Sequence, residues 1–339
     1  VWFARGEVRI TFNRGDFWDR RGETRWTAEC SYRNLRRLAE AGEVDKIRRL
    51  FQSGAVGYIS GDPTRLPLGR LVLPLVEGVE PVSAVLDVYS GEARVSLGYA
   101  GSAAGELRAT VTSDAAALLV SMPPSLLGEP HLVAASDFAA VSEAFSARGI
   151  PAKWELAGAA AAGKDSAVET THRITGFVQE LPADPGITVA LALGREMVPA
   201  KTAVLVADFD TEAAVGLAGA RYHEAARDGY VSATESTRRH WSLLMGKSAA
   251  VSLPDPEMER MYTLGIYKML GNSMPGGIAP SLQGPWVEEH RMPPWSSDYH
   301  FNINVEECLW AAYGSGHWEA LSPLFEMIER WEPLLRRQA

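Results

Sequence analysis

The chain has 339 residues, of which 46% are hydrophobic and 22% charged, a composition typical of folded globular proteins rather than disordered ones. The formal net charge of -9, without a dense Lys/Arg cluster, disfavours nucleic acid as a partner. No apolar run is long enough to predict a membrane span. Cys30 and Cys308 match neither a zinc pattern nor a disulfide framework, and the sequence predicts no metal and no cofactor.

The first residues predict a strand. Val1 leads straight into this segment without Met, a charged region or an apolar leader, so we expect that preceding residues have been cut away. Val8, Ile10 and Phe12 alternate with polar residues, which is typical of a half-buried strand. Residues 13–16 are rich in turn formers and predict its end.

Residues 17–22 place aromatic side chains beside charged ones and predict a loop. The favoured interpretation is a loop pinned by its aromatic residues at the edge of a β-sandwich; the alternative is a loop that faces a substrate. Between Tyr32 and Phe51, leucines and other aliphatic residues recur at near-helical spacing. Gly42 interrupts this pattern, which therefore predicts two short helices.

From residue 66 to residue 208 the chain alternates short Val/Leu/Ala-rich runs with Gly, Pro, Asp and Ser. Such spacing predicts hairpins of antiparallel sheets, and a large β-sandwich is the economical interpretation. A short helix is predicted at 139–147 and a hairpin tip in the Ala/Gly tract 157–163. The predicted strands are 82–89, 93–99, 106–112, 116–121, 167–179, 188–193 and 200–207, with residues 101–105 as a loop between two of them.

Beyond residue 208 the hydrophobic period changes from 2 towards 3.6. Asp210 is a candidate cap for a helix at 211–227, and a second helix is predicted at 232–245. Residues 254–256, Pro-Asp-Pro, predict the start of another helix, whose apolar face from Met258 to Leu270 is expected to be core. Further helices are predicted at about 304–313 and 319–329.

Residues 293–310 are the densest group of sugar-compatible side chains in the sequence. Loops between scaffold helices often carry binding sites, and the turn-rich residues 275–286 precede this segment. Flat aromatic faces suit sugar C–H groups, and amides and imidazoles bind hydroxyls, although each such residue also has an ordinary structural explanation. The candidate residues are the aromatic Trp286, Trp295 and Tyr299 and the polar Gln283, His300, Asn302 and Asn304.

Asn302 and Asn304 impose a geometric constraint. In a regular helix, residues two apart point about 200° from one another. If both serve one site, they must lie at the entry to the helix. Glu306 is one turn beyond Asn302 and could share its face, or it could be a solvated or capping carboxylate.

The segments Ser281-Leu282-Gln283-Gly284-Pro285-Trp286 and residues 293–304, with Trp310 after them, resemble glycoside hydrolase family 95, the inverting α-L-fucosidases. Related enzymes act on α-L-galactosides. The resemblance implies an N-terminal β-supersandwich at 1–208, a helical linker at 209–253 and the start of an (α/α)6, or six-hairpin, barrel at 254–339. It also implies a glycan substrate and favours a secreted or periplasmic location.

In that family, a His and two Asn of this motif act on the substrate, which implies such roles for His300, Asn302 and Asn304. An Asp from later in the barrel would polarise Asn304, which would then orient and deprotonate the water. A Glu would be the general acid, as inversion requires. We expect both carboxylates beyond Ala339, and the polypeptide alone to be inactive. Glu306 stands where the family typically has Gln, which bears on substrate preference.

Two other functions are compatible with the residues. A related six-hairpin phosphorylase would use inorganic phosphate in place of water. A carbohydrate-binding protein without activity would use the aromatic residues to hold a sugar. An oligosaccharide or glycan is the expected partner in all three cases.

Overall fold

The computed structural model describes residues 1–19, 28–51, 63–115, 117–155, 159–160, 172–182, 188–196 and 202–338. Within these ranges the chain is a mixture of β-sheets and α-helices, with the strands before residue 209 and the longest helices after it. The strands are β1 Trp2–Ala4, β2 Glu7–Phe12, β3 Trp18–Asp19, β4 Thr64–Arg65, β5 Gly69–Pro74, β6 Glu80–Asp87, β7 Glu92–Tyr99, β8 Ser102–Val111, β9 Ala117–Ser121, β10 His131–Ala134, β11 Ala152–Glu155, β12 Ala159–Ala160, β13 His172–Glu180, β14 Thr188–Glu196 and β15 Thr202–Asp208. The helices are α1 Tyr32–Glu40, α2 Val44–Phe51, α3 Ser142–Arg148, α4 Thr211–Asp228, α5 Tyr230–Ala233, α6 Glu235–Lys247, α7 Pro256–Asn272, α8 Asn304–Ser315 and α9 Ser322–Gln338.

The strands form two antiparallel sheets and a short separate pair. The smaller sheet has the order β1-β2-β5-β10, and the larger has the order β11-β13-β14-β15-β9-β8-β7-β6, with β12 beside β13. β3 pairs with β4. Both sheets contribute to one hydrophobic core, in which Val8 and Leu71 of the smaller sheet lie with Val95 and Leu205 of the larger. Burial of such apolar surface is the main force that holds the sheets together.

The opposite face of the larger sheet is covered by α4. Its Ala214, Ala218 and Tyr222 are buried against Val204 and Leu119 of the sheet. Small alanine side chains let the helix approach closely. The strands of the larger sheet are therefore buried on both faces here. This explains why these strands are rich in Val, Leu and Ala and do not alternate between apolar and polar residues.

Local signals placed several elements correctly. The predicted break at Gly42 is confirmed, because Gly42 has φ +69 between α1 and α2. Asp210 caps α4, as expected, by accepting a hydrogen bond from Ala213 N. The helix start expected at residues 254–256 is also confirmed, and Asp255 caps this helix, α7, by accepting a hydrogen bond from Glu257 N. The hairpin strands β6 to β9 and the short helix α3 are also confirmed within a few residues.

Other local predictions were wrong. Residues 102–105 were expected to form a loop, but they belong to β8, because they pair with β7 residues such as Leu97. The helix expected at 232–245 is interrupted at Thr234, whose hydroxyl donates to the carbonyl of Tyr230. Most of the Ala/Gly tract 157–163 and residues 20–22, 116, 167–171 and 200–201 lie outside the described residues.

The last helices share a third core. Ile266, Met269 and Leu270 of α7 are buried with Leu309 of α8 and Leu321. The predicted apolar face of α7 is only partly core, since Met258 and Met261 are exposed. No helix in the described parts of the chain is long and apolar enough to cross a membrane. The boundaries at 208/209 and 253/254, the supersandwich and the barrel remain predictions.

Candidate functional site

Apart from Asn304, which begins α8, the sequence-predicted site residues lie in the long connection from α7 to α8. Residues 275–286 form turns and irregular backbone, as their Pro and Gly content predicts. Leu282 N donates to Asp298 O at 3.0 Å, so the two halves of this connection are held side by side. The connection has contacts with the β-rich part of the chain, which fix its position.

Arg65 of β4 is the first of these contacts. It is 1% exposed, and its guanidinium donates to the carbonyl oxygens of Gly284 and Arg14, the latter at 2.5 Å. Its Nη1 also lies 3.4 Å from the hydroxyl of Ser281. Burial lowers the pKa of Arg65 to about 10, so the group still carries its charge at neutral pH. A buried cation thus ties residues 281–285 to the loop at residues 14–18.

Glu289 makes the second contact. Its carboxylate accepts a hydrogen bond from Arg70 Nη1 at 2.6 Å and another from the hydroxyl of Thr11. Arg9 lies 3.8 Å from the same carboxylate. Three residues of β2 and β5 therefore hold the connection against the smaller sheet.

The backbone within the candidate site segment is strained at residues 295–297. Trp295, Ser296 and Ser297 have φ values of +47°, +57° and +53°, in the left-handed region that side chains other than glycine rarely occupy. The buried hydroxyl of Ser297 lies 3.0 Å from that of Ser281, which helps to hold this conformation. Strain of this kind persists only where the surroundings fix it, and it clusters at functional sites.

An aromatic cluster follows the strained turn. The rings of Tyr299 and Trp18 are stacked, with centroids 6.0 Å apart and an interplanar angle of 21°. Trp331 of α9 meets Tyr299 edge-on at 5.6 Å and Phe301 at 6.1 Å. Such pairs are favourable beyond the area that they bury. The cluster brings together residues from the N-terminal strands, the connection and the last helix.

A cavity of about 720 Å³ opens beside this cluster, in the size range of small-molecule sites. Trp18 and Asp16 line it on the side of the β-rich part, and Asp298 and Tyr299 line it on the side of the connection. Aromatic faces next to carboxylates are the combination that binds sugar rings and their hydroxyls.

His300 is paired with Asp298, with 2.5 Å between Nε2 and Oδ1. Partial burial raises the pKa of Asp298, and the contact with His300 opposes this rise. Burial also raises the pKa of Tyr299, so its phenol is protonated at neutral pH, and it donates to the carbonyl of Ala279 at 3.0 Å. His300 and Tyr299 thus have partners that fix their orientation.

Asn302 lies in the turn before α8 and Asn304 is the first residue of that helix. Ile303, between them, has non-helical backbone angles of φ -165° and ψ -36°. This is the irregular helix entry that a shared role would require. Glu306, in the first turn, has a buried Oε2 without a hydrogen-bond partner among the described residues.

The structure brings only some of the expected residues together. Tyr299 lines the cavity, whereas Trp286 lines a different one beside Trp241 and Tyr267. Trp295 is 67% exposed, and Gln283 is half-buried in a turn.

Sequence reasoning missed several residues that the fold adds to this region. Arg65 and two residues of α9, Arg330 and Trp331, contribute through contacts between distant segments. Their local patterns carry no signal of a site. Trp18 did have such a signal, because it lies in the mixed aromatic and charged segment 17–22, for which a loop that faces a substrate was the alternative prediction.

Comparison with known proteins identifies the helical part of the chain. Residues 232–339 match the family model described as "Glycosyl hydrolase family 95 catalytic domain". "Probable alpha-fucosidase A" of Aspergillus niger (strain ATCC MYA-4892 / CBS 513.88 / FGSC A1513) is 41% identical over 81 residues, 23% of this chain and 10% of that protein. "Alpha-L-fucosidase 2" of Arabidopsis thaliana is 33% identical over 75 residues, 22% of this chain and 9% of that protein.

Among solved structures, "Putative kojibiose phosphorylase from human microbiome" is similar at 10% identity and a TM-score of 0.40, over 69% of this chain and 33% of that one. This similarity is too low to support an argument about the fold. The aligned segment spans about a tenth of the length of the curated relatives. Every site residue expected from the sequence lies within residues 232–339. Through these residues the chain is similar to the catalytic domain of glycosyl hydrolase family 95.

Proposed function

We propose that the complete gene product hydrolyses terminal α-L-fucosyl, or α-L-galactosyl, linkages of a glycan with inversion of configuration. The observation that carries this proposal is the match of residues 232–339, which contain the whole segment from Gln283 to Asn304, to the family 95 catalytic domain. The fucosidase names of the relatives support the choice of substrate. The proposal concerns the complete gene product because those relatives are much longer than the aligned segment.

In the proposed mechanism, Asn304 orients and deprotonates the attacking water, with Asn302 beside it at the helix entry. An amide does not titrate near neutral pH and is a poor base by itself. Asn304 therefore needs a carboxylate that polarises it, and inversion needs a carboxylic acid on the other side of the glycosidic bond. We assign neither of these carboxyl groups to a residue of this chain.

The remaining residues have binding roles in this proposal. His300, oriented by Asp298, binds a sugar hydroxyl. Tyr299 presents its ring face to the sugar, since its hydroxyl already donates to the carbonyl of Ala279. Trp295, Gln283 and Trp286 complete the proposed set of substrate contacts. The contacts of Arg65 and Glu289 with the connection support such a site, because they limit the movement of the segment that carries it.

The test is an assay of the complete gene product with an aryl α-L-fucoside, in which NMR identifies the anomer released first. We expect β-L-fucose, as inversion requires. If instead added phosphate is needed and fucose 1-phosphate is released, the enzyme is a phosphorylase. If the oligosaccharide is bound but never cleaved under either condition, the protein is a binding protein and the proposed activity is wrong.

A further inference from the structure

The helices α1 and α2 form a basic pair in an acidic protein. Residues 31–51, which contain both helices, have six Lys and Arg against three Asp and Glu, whereas the whole chain has a net charge of -9. The six cations are Arg33, Arg36, Arg37, Lys46, Arg48 and Arg49. They are spread along the sequence, and the packing of α1 against α2 brings them together. The fold thus makes a local positive surface that an anionic group can approach.

A cavity of about 620 Å³ is lined by residues of both helices, and this volume is in the range of small-molecule sites. Three cations line it, Arg37 of α1 and Lys46 and Arg49 of α2. Glu29, just before α1, adds a carboxylate to the lining, which keeps a net positive charge. The cavity is therefore suited to an anionic ligand that also carries groups able to donate hydrogen bonds.

The arginines of this cavity have no carboxylate partner. Within the part of the chain that the structure describes, neither Arg37 nor Arg49 forms an ion pair, and Arg37 donates one hydrogen bond to a side-chain amide of its own helix. Lys46 is paired with Glu43 at 2.8 Å. The pKa of Glu43 is lowered, first by its hydrogen bond with Lys46 and further by the charges of Lys46, Arg37 and Arg49. The three cations therefore act on one small region.

Two other arginines of the same helices are arranged differently. Arg36 and Arg48 do not line the cavity, and each is two residues from side chains that do, which is about 200° around a helix. They are paired with carboxylates of their own helices, Arg36 with Glu40 at 2.8 Å and Arg48 with Asp45 at 3.6 Å. The pair thus separates arginines that are already neutralised from arginines that face the cavity.

The lining indicates the chemistry of a ligand. A guanidinium is planar, and its fork of donors matches the two oxygens of a carboxylate. Glu29 can accept hydrogen bonds from hydroxyls beside that carboxylate. A carboxylate next to hydroxyls is the pattern of a uronic acid. The leucines of the lining, Leu38 and Leu50, are buried or half-buried and are not presented to a bilayer, so the cavity favours an acidic sugar over a lipid surface.

We propose that the cavity between α1 and α2 binds the carboxylate of an acidic oligosaccharide, with Arg37 and Arg49 as the groups that hold it. The choice of a saccharide among anionic ligands rests on the proposed function, which makes the partner a glycan. None of residues 275–304 lines this cavity, so it is separate from the candidate catalytic segment. Its role is to hold the enzyme on an acidic polymer while another part of the protein removes neutral sugars.

The test measures by calorimetry, at low ionic strength, how the complete gene product binds an oligogalacturonate, a chain of uronic acids without fucose. We expect Arg37→Gln and Arg49→Gln each to weaken binding about tenfold, the size of one lost charge-assisted hydrogen bond. Added salt should weaken the binding as well. Arg36→Gln and Arg48→Gln remove the same charge from the same helices and, as matched controls, should raise Kd by a clearly smaller factor. Asn304→Ala should leave Kd unchanged.

Absence of binding by the parent protein, or equal losses for the cavity variants and their controls, would overturn the inference. Binding to phosphatidylserine vesicles that depends on Arg37 and Arg49, without binding of the oligogalacturonate, would identify a lipid surface and would also overturn it. All four arginines are exposed, so their substitution removes little packing, and circular dichroism melts check that each variant is folded. Because the oligogalacturonate carries no fucose, a parent protein that binds it but hydrolyses no fucoside would refute the proposed function and leave this inference standing.

Discussion

At the scale of single residues, the candidate site depends on residues whose burial or backbone conformation is unusual for their type. Arg65 is a buried cation that donates chiefly to backbone carbonyls, and residues 295–297 have left-handed backbone without glycine. Neither feature follows from local sequence preferences. Each of these two features by itself raises the free energy of the folded state. Contacts that also hold the site in place offset this cost.

The contacts of Arg65 predict a large effect on stability. Arg65→Met should lower the free energy of unfolding by about 3 kcal/mol, because the carbonyls of Gly284 and Arg14 lose their donors inside the protein. Arg65→Lys should recover only part of this loss, since an ammonium cannot reproduce the planar fork. Urea unfolding of the three proteins measures both values, and a loss below about 1 kcal/mol for Arg65→Met would contradict this role.

Asp298 predicts a pH dependence. Its pKa in the folded protein is raised above the ordinary value of 3.8, so its favourable contribution is fully present below that value and is lost as the pH rises through the raised pKa. The stability of Asp298→Asn relative to the parent should therefore increase with pH across this window and then level off. Asp45→Asn, which removes a carboxylate that is 84% exposed, should show no such trend in thermal melts at several pH values. If the stability of Asp298→Asn relative to the parent falls as the pH rises, the raised pKa of Asp298 is contradicted.

At the scale of elements, the connection between α7 and α8 is held by the smaller sheet. Glu289→Ala should destabilise the protein by about 2 kcal/mol, because it leaves Arg70 without its closest carboxylate. Glu288→Ala is the matched control: its exposed pairs with Arg291 and His290 contribute little. Equal effects of the two substitutions on the midpoint of urea unfolding would show that the contact of Glu289 does not hold the connection.

The contact between the larger sheet and α6 gives another prediction. A side chain added at Gly91, in the turn between β6 and β7, would collide with the ring of Trp241. Gly101 also has a positive φ in a hairpin turn but has open space around it. Gly91→Ala should therefore cost about 2 kcal/mol more than Gly101→Ala, as overpacking typically does. Thermal melts of both variants check this, and equal losses would place the cost in the backbone alone.

The elements also show how far sequence reasoning reaches. Caps such as Asp210 and Asp255 and the break at Gly42 act within a few residues, so the helix ends that depend on them were predicted. Residues 102–105 could not be assigned in this way, because their strand is fixed by pairing with β7. Pairing across a sheet is a property of two segments, and the pattern of one does not contain it.

At the scale of the whole molecule, the site too combines features that a local sequence pattern predicts with features that depend on contacts between distant segments. The motif of residues 293–304 could be singled out from the sequence, since its side chains are adjacent there, and its role in catalysis stays a prediction. The stack of Trp18 on Tyr299 and the contribution of Arg330 and Trp331 depend on how the sheets and the last helices meet, and no local pattern contained them. The division of the chain after residues 208 and 253 stays a prediction.

The central claim is that the helix entry at Asn304 activates water in a glycosidase. The most direct measurement is the rate at which the complete gene product and its Asn304→Ala variant hydrolyse an aryl α-L-fucoside, with Asn34→Ala on α1, outside the candidate site, as control. We predict that Asn304→Ala lowers kcat by a factor of about 100 or more, in the range of a lost general base, while the control retains the parent rate. Hydrolysis by Asn304→Ala at the parent rate would contradict the account.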